Sequence, residues 1–256
     1  MSAPAAHDRA IAGRHQTIDS PELGRPVHLW TFGWFGQPII VMPSAAGMAH
    51  EWQQQGMIDA LAPLLRAGRI KLYCPESNVA EAWTRKESDP EWRISRHAVY
   101  ERFVIDTLVP FVRADCRSPQ HPLAVTGTSL GGMYAALLAL KYPETFRRAF
   151  CFSGRYDVRN INGGHDSPAV YFNNPLAFVP GLGGPHLARV RENAHLTLVC
   201  GQGAYEEGCI EETIALGQVL RAKGIPSETD IWGRDSAHQW PWWRIQAQKH
   251  LGRIYG

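Results

Sequence analysis

The chain has 256 residues, 45% of them hydrophobic and 20% charged, with 26 basic against 24 acidic residues and a net charge of +2. That is long and apolar enough for one α/β domain with a large core, and too evenly charged to imply a nucleic acid or other polyanion as partner. Nothing approaches the roughly 18 apolar residues of a membrane span, and Met1 to Arg14 lacks the apolar run of a secretory signal.

In chain order, Val27–Phe32 reads as a strand, Gly33 to Gly36 as a turn, and Pro38–Met42 as a buried strand that runs into the small-residue loop Pro43-Ser44-Ala45-Ala46-Gly47-Met48. Met57 to Ala67 has the spacing of an amphipathic helix, and Arg69–Cys74 that of a strand ended by Pro75. Ser95 to Ala114 reads as a long helix, with Val99, Phe103, Val104 and Leu108 on one face and Pro110 as a point of bending. The apolar run Leu123–Thr126 leads into Gly127-Thr128-Ser129-Leu130-Gly131-Gly132 and then a helix-forming stretch from Met133. Phe146–Phe152 and Leu196–Cys200 are strands, Cys209–Lys223 is a helix closed by Gly224, and Ser227–Trp232 is the last strand. Strands alternating with helices imply a mostly parallel sheet covered on both faces, with chemistry at the carboxyl ends of its strands. The expectation is a single domain over residues 1–256, with 1–14 loosely ordered and 160–185, rich in Gly, Asn and Pro, forming a loop-rich cap.

The segment around Ser129 carries the chemistry. Strand, G-x-S-x-G, helix is the layout of a nucleophile elbow, a turn so tight that the serine's neighbours must be nearly free of side chains. At this glycine and serine content about 0.1 matches arise by chance, so the motif needs its surroundings. A serine hydroxyl requires a base, and the base an orienting acid; in this layout they follow in the order Ser, acid, His. His238, in the loop after the last strand, is the expected base. The acid belongs after Leu196–Cys200, where Glu206 is preferred over Glu207, with Asp157 as a third option. Glu207 also suits the first turn of the following helix. The oxyanion hole needs two backbone N–H groups, one from Leu130 and one from the early loop, at Ala46 with Ala45 as the alternative. Met48 in that loop and Trp240 beside the base are the expected substrate contacts. Of Trp232, Trp240, Trp242 and Trp243, at least two are expected to be core.

The five cysteines, odd in number and without a C-x-x-C pair, suit buried free thiols in a reduced cytoplasmic setting rather than a zinc site. The chemistry expected of Ser129 needs neither metal nor organic cofactor.

With those residues in view, the chain resembles the "putative esterase" branch of the α/β-hydrolase superfamily, which includes S-formylglutathione hydrolases, feruloyl esterases and mycolyltransferases. Ser20-Pro21-Glu22-Leu23-Gly24-Arg25 is similar to the family's lead into its second strand. Pro43–Gly47 and Gly56–Leu61 resemble its oxyanion loop and first helix, and Gly127–Gly132 its elbow. Tyr171-Phe172-Asn173-Asn174-Pro175 and His238-Gln239-Trp240-Pro241-Trp242-Trp243 resemble later stretches. Two departures stand out: Gln239 replaces an acidic residue after the histidine, and Ala45-Ala46 stands where many relatives have Ser-Gly. The resemblance implies an α/β-hydrolase fold and a serine carboxylic-ester hydrolase acting through an acyl-enzyme on a small-molecule ester. The alternatives are an acyltransferase with the same triad, or a non-catalytic binding protein on a hydrolase scaffold.

Overall fold

The computed structural model describes residues 11–256. Eight strands form one sheet: β1 (Gly13–Ser20), β2 (Arg25–Phe32), β3 (Gln37–Met42), β4 (Ile70–Pro75), β5 (Leu123–Thr128), β6 (Phe146–Phe152), β7 (His195–Cys200) and β8 (Ser227–Ile231). Their spatial order is β1-β2-β4-β3-β5-β6-β7-β8. β2 runs antiparallel to both β1 and β4, and all pairings from β4 to β8 are parallel. This is the mostly parallel sheet expected from the strand–helix alternation, in the α/β-hydrolase fold that the family resemblance implies.

The central strands are near-continuous apolar runs because both faces of a parallel sheet are covered. Along β3 the side chains alternate: Ile40 and Met42 join the core on one face, Ile39 and Val41 that on the other. The first core is built against α7 (Leu130–Lys141), where Leu130 to Leu140 are all buried. A helix apolar all round belongs inside a protein, and Ala135, Ala136 and Ala139 let this one lie close to the sheet. The opposite core packs against α12 (Trp240–Tyr255) through Trp243, Ala247 and Leu251, four residues apart and so on one helix face.

Several elements depart from the expectations. β1 lies ahead of the first strand that the sequence pattern predicts; it is an edge strand of mixed polarity with half of its residues exposed. It includes Gly13 and Arg14, which therefore are not loosely ordered, while residues 1–10 lie outside the described residues. The helix expected over Met57–Ala67 breaks at Leu61 into Met57–Ala60 and Ala62–Arg66, because Pro63 cannot donate within a continuous helix. The long helix starts earlier, at Pro90, where the Asp89 carboxylate accepts from Trp92 N–H at 2.9 Å. This helix, α5 (Pro90–Arg102), widens into a π segment over Phe103–Leu108 and resumes as Val109–Asp115. Pro110 has no N–H to return to Asp106, and the widened turns accommodate the missing bond.

The cap segment is more regular than its composition suggests. Short helices cover Pro168–Phe172 and Pro175–Gly181, and a third, Gly184–Asn193, starts at the segment's end. Each has a proline in its first turn, where the missing N–H costs nothing. The Ser167 side chain caps the first of them, accepting from Val170 N–H at 3.2 Å.

Candidate active site

β5 ends at Thr128 and α7 begins at Leu130, so Ser129 alone makes the turn, with φ 56° and ψ −122°. A side chain with positive φ is strained, and such strain is found at functional turns. The flanking glycines are required by space. A Cβ at Gly127 would lie 2.4 Å from the Gly131 backbone, and one at Gly131 would lie 2.3 Å from the Met42 carbonyl oxygen. Ser129 N–H donates to Phe152 O at 2.8 Å, tying the turn to the end of β6.

His238 reaches Ser129 from the loop between β8 and α12. Its Nε2 lies 3.0 Å from Ser129 Oγ, and its Nδ1 lies 3.1 Å from Glu206 Oε2. The backbone holds it as well, since His238 N–H donates to Ala204 O at 2.9 Å. The ring edge meets Trp243 at 4.8 Å between centroids, nearly perpendicular. Glu206 is buried, 1% exposed, and both of its oxygens are engaged. Oε1 accepts from Ser153 Oγ at 2.6 Å, and Oε2 accepts from the Cys200 thiol at 3.3 Å as well as facing His238. Ser153 Oγ in turn accepts from Trp243 Nε1 at 3.0 Å. These partners satisfy the hydrogen-bonding capacity of a buried carboxyl group.

The structure therefore brings Ser129, His238 and Glu206 together and leaves the other two acids apart. Glu207 is exposed. Asp157 is bound by Arg159 at 2.7 and 2.9 Å and by Asn174 at 2.7 Å, and it caps the short turn Val158–Asn160.

Leu130 opens α7, so its N–H has no partner within the helix. The loop after β3 is pinned by buried Glu51, which accepts from Ser44 N–H at 2.9 Å and from the Ser44 hydroxyl. This fastening favours Ala45 over Ala46 beside the serine. Ala45 lines a cavity of about 640 Å³ with Ser129 and Leu130, while Ala46 N–H donates to Ser44 Oγ at 3.2 Å. Gly47 (φ 74°) then turns the chain away, and Ala46 and Met48 line a separate cavity with His15, His28 and Trp30. Met48 thus does not reach the Ser129 cavity. Trp240 does not line it either; its ring packs edge-on against Trp243 at 5.1 Å.

The sequence reading missed Ser153, Glu51, and the cavity walls Trp83, Arg93 and Arg155. A positive φ at Ser153 (48°) marks it in the structure, but a Ser-Gly pair after a strand gave no such sign. All five cysteines are free. Glu206, Cys209 and His238 place three potential ligand atoms within 4.8 Å of one another. Burial pushes the Cys209 thiol up to about 12, which opposes the deprotonation that metal binding needs. Among the described residues no helix is long and apolar enough to cross a membrane.

Residues 75–253 match the model of the family described as "Putative esterase". No curated protein matches the sequence. Among solved structures, a ferulic acid esterase superposes with a TM-score of 0.75 at 17% identity, over 95% of this chain and 98% of the other. An S-formylglutathione hydrolase from Agrobacterium tumefaciens gives 0.74 at 13% identity over 96% of each chain. The fluorophosphonate-binding serine hydrolase F of Staphylococcus aureus gives 0.75 at 12% identity, over 97% of this chain and all of the other. At these identities the likeness is one of fold.

Proposed function

The chain belongs to the "Putative esterase" family and is a carboxylesterase-type serine hydrolase, and from that premise we propose that Ser129 is its nucleophile, His238 its base and Glu206 the acid that orients the base. The observation that carries this reading is the continuous chain of contacts, 3.0 Å from Ser129 Oγ to His238 Nε2 and 3.1 Å from His238 Nδ1 to Glu206 Oε2.

In this mechanism the Glu206 carboxylate accepts from Nδ1–H, which leaves Nε2 free to take the Ser129 proton as Oγ attacks the ester carbonyl. The N–H groups of Leu130 and Ala45 hold the negative oxygen that forms. His238 gives its proton to the departing alcohol, then takes one from a water that attacks the acyl-enzyme and returns it to Ser129 Oγ as the Oγ–acyl bond breaks and the acid is released. Glu206 balances the imidazolium in both halves of the cycle without itself taking a proton. None of these steps calls on a metal or cofactor.

The test is hydrolysis of 4-nitrophenyl acetate and butyrate by wild type and Ser129→Ala. Loss of the nucleophile is expected to lower turnover roughly 10⁴-fold or more. Equal rates for the two proteins would refute the assignment.

A further inference from the structure

Among the described residues, the cavity that holds Ser129 and Leu130 is lined by three cationic side chains, Lys86, Arg93 and Arg155, and by no acidic one. Arg155 is already neutralised. Its Nε and Nη2 meet Glu212 Oε1 at 3.0 and 2.9 Å. Glu212 also takes N–H groups from Tyr156 and Asp157 and the Asn160 amide, so this pair fastens the loop after β6.

Arg93 and Lys86 are different. Arg93 projects from α5 and is 2% exposed, yet no carboxylate pairs with it among the described residues. Its partners are three carbonyl oxygens: Nε donates to Ala82 at 2.9 Å, and Nη2 donates to Trp83 at 2.7 Å and Ile161 at 3.0 Å. Carbonyls satisfy hydrogen bonds but leave the full positive charge in place. Nη1 takes none of the three. Glu87, whose charge acts on Arg93 through space, is exposed and pairs with Arg85 at 3.4 Å. Lys86 is exposed at the rim of the same cavity and forms no ion pair among the described residues. A buried cation without a counter-charge is costly unless something supplies one. At about 640 Å³ the cavity is the size of a small-molecule site, and its walls of one sign concentrate anions.

We propose that the ester presented to Ser129 bears a carboxylate, on either its acyl or its alcohol part, that is held by Arg93 Nη1 and Lys86. This rests on the esterase reading above and adds the charge of the substrate to it. A purely structural Arg93, clamping the end of helix Val79–Ala82 to the Ile161 loop, would stabilise the fold but would not sort substrates by charge.

Two matched pairs separate the possibilities. For the acyl side, 4-nitrophenyl hemisuccinate is compared with 4-nitrophenyl methyl succinate. For the alcohol side, 4-acetoxybenzoate is compared with its methyl ester. In wild type at low salt, the anionic member of one pair is expected to show kcat/KM at least about 10-fold above its neutral partner, the scale of a hydrogen bond to a charged group. Added salt should reduce that ratio, as screening requires. Lys86→Glu and Arg93→Gln should each bring the ratio toward or below one. Lys86 is exposed, so the first variant decides the matter even if Arg93→Gln does not fold. Neutral esters hydrolysed with no anionic preference in either pair, or a preference unmoved by Lys86→Glu, would overturn this inference and leave the esterase reading intact. Hydrolysis of none of the four esters would overturn both.

Discussion

The Ser153 hydroxyl donates to Glu206 Oε1 at 2.6 Å, on the oxygen that His238 does not face. Because Trp243 Nε1 donates to Ser153 Oγ at 3.0 Å, the hydroxyl proton has one direction left, toward the carboxylate. Ser153 and Trp243 together thus fix the rotation of Glu206, and the Trp243 ring also packs edge-on with the His238 ring. β6 and β7 are neighbours in the sheet, and this adjacency places the end of one beside the loop of the other.

Removing that hydroxyl should weaken the base. Hydrogen bonds to a charged group contribute about 1.5–3 kcal/mol, so Ser153→Ala is expected to lower kcat roughly 10- to 100-fold. Ser153→Gly, which tolerates the positive φ, should show the same loss. Full activity in the glycine variant would assign the role of Ser153 to its backbone alone.

The two neighbouring glutamates should separate cleanly. Glu206→Gln keeps the shape but removes the charge that balances the imidazolium, and kcat is expected to fall on the order of 10³- to 10⁴-fold. Glu207→Gln alters an exposed side chain and should stay within about twofold of wild type. Steady-state kinetics on a 4-nitrophenyl ester decides between them.

Gly131 touches two parts of the site at once. A methyl group there would meet Met42 O at 2.3 Å and Pro43 O at 2.9 Å, so either the elbow or the Ala45 loop must move. Gly131→Ala is expected to lower stability by about 2–3 kcal/mol, as overpacking does, and to lower kcat with it. Urea unfolding and turnover measured on the same preparation test both halves.

Acid stability should depend on Asp115. Burial acts to raise its pKa, but hydrogen bonds from Lys71, Tyr73 and Arg14 outweigh burial and hold the carboxyl down at about 2. A depressed carboxyl stabilises the fold above its unfolded value, near 3.8, and loses that contribution as pH falls through about 2. Asp115→Asn is therefore expected to be less stable by about 2 kcal/mol at neutral pH. The gap to wild type should close between about pH 4 and pH 2 in urea unfolding curves. A gap independent of pH would show that packing, not charge, is what Asp115 provides.

The parts of the site that follow from local geometry were legible in the sequence. An elbow needs glycine on both sides of Ser129, chain order points to His238, and the loop after β7 contains Glu206. Residues whose role depends on distant partners were not legible. Ser153 matters because β7 lies beside β6, and Arg93 because α5 folds against the Ile161 loop. The expected oxyanion donor Ala46 gives way to its alternative Ala45, because the distant Ser44–Glu51 contact places Ala45 on the cavity and turns Ala46 away. In the fold, β1 escaped notice because an edge strand half in solvent lacks an apolar run. The cap helices escaped because Pro168, Pro175 and Pro185 read as breakers, although each stands where a helix begins.

The central claim is that Ser129 becomes acylated, and covalent capture tests it most directly. Folded protein treated with a fluorophosphonate probe should gain the mass of one phosphonyl group, mapped by peptide mass spectrometry to Ser129, while Ser129→Ala gains none. An unlabelled wild-type protein, or a label on any residue other than Ser129, would contradict the account.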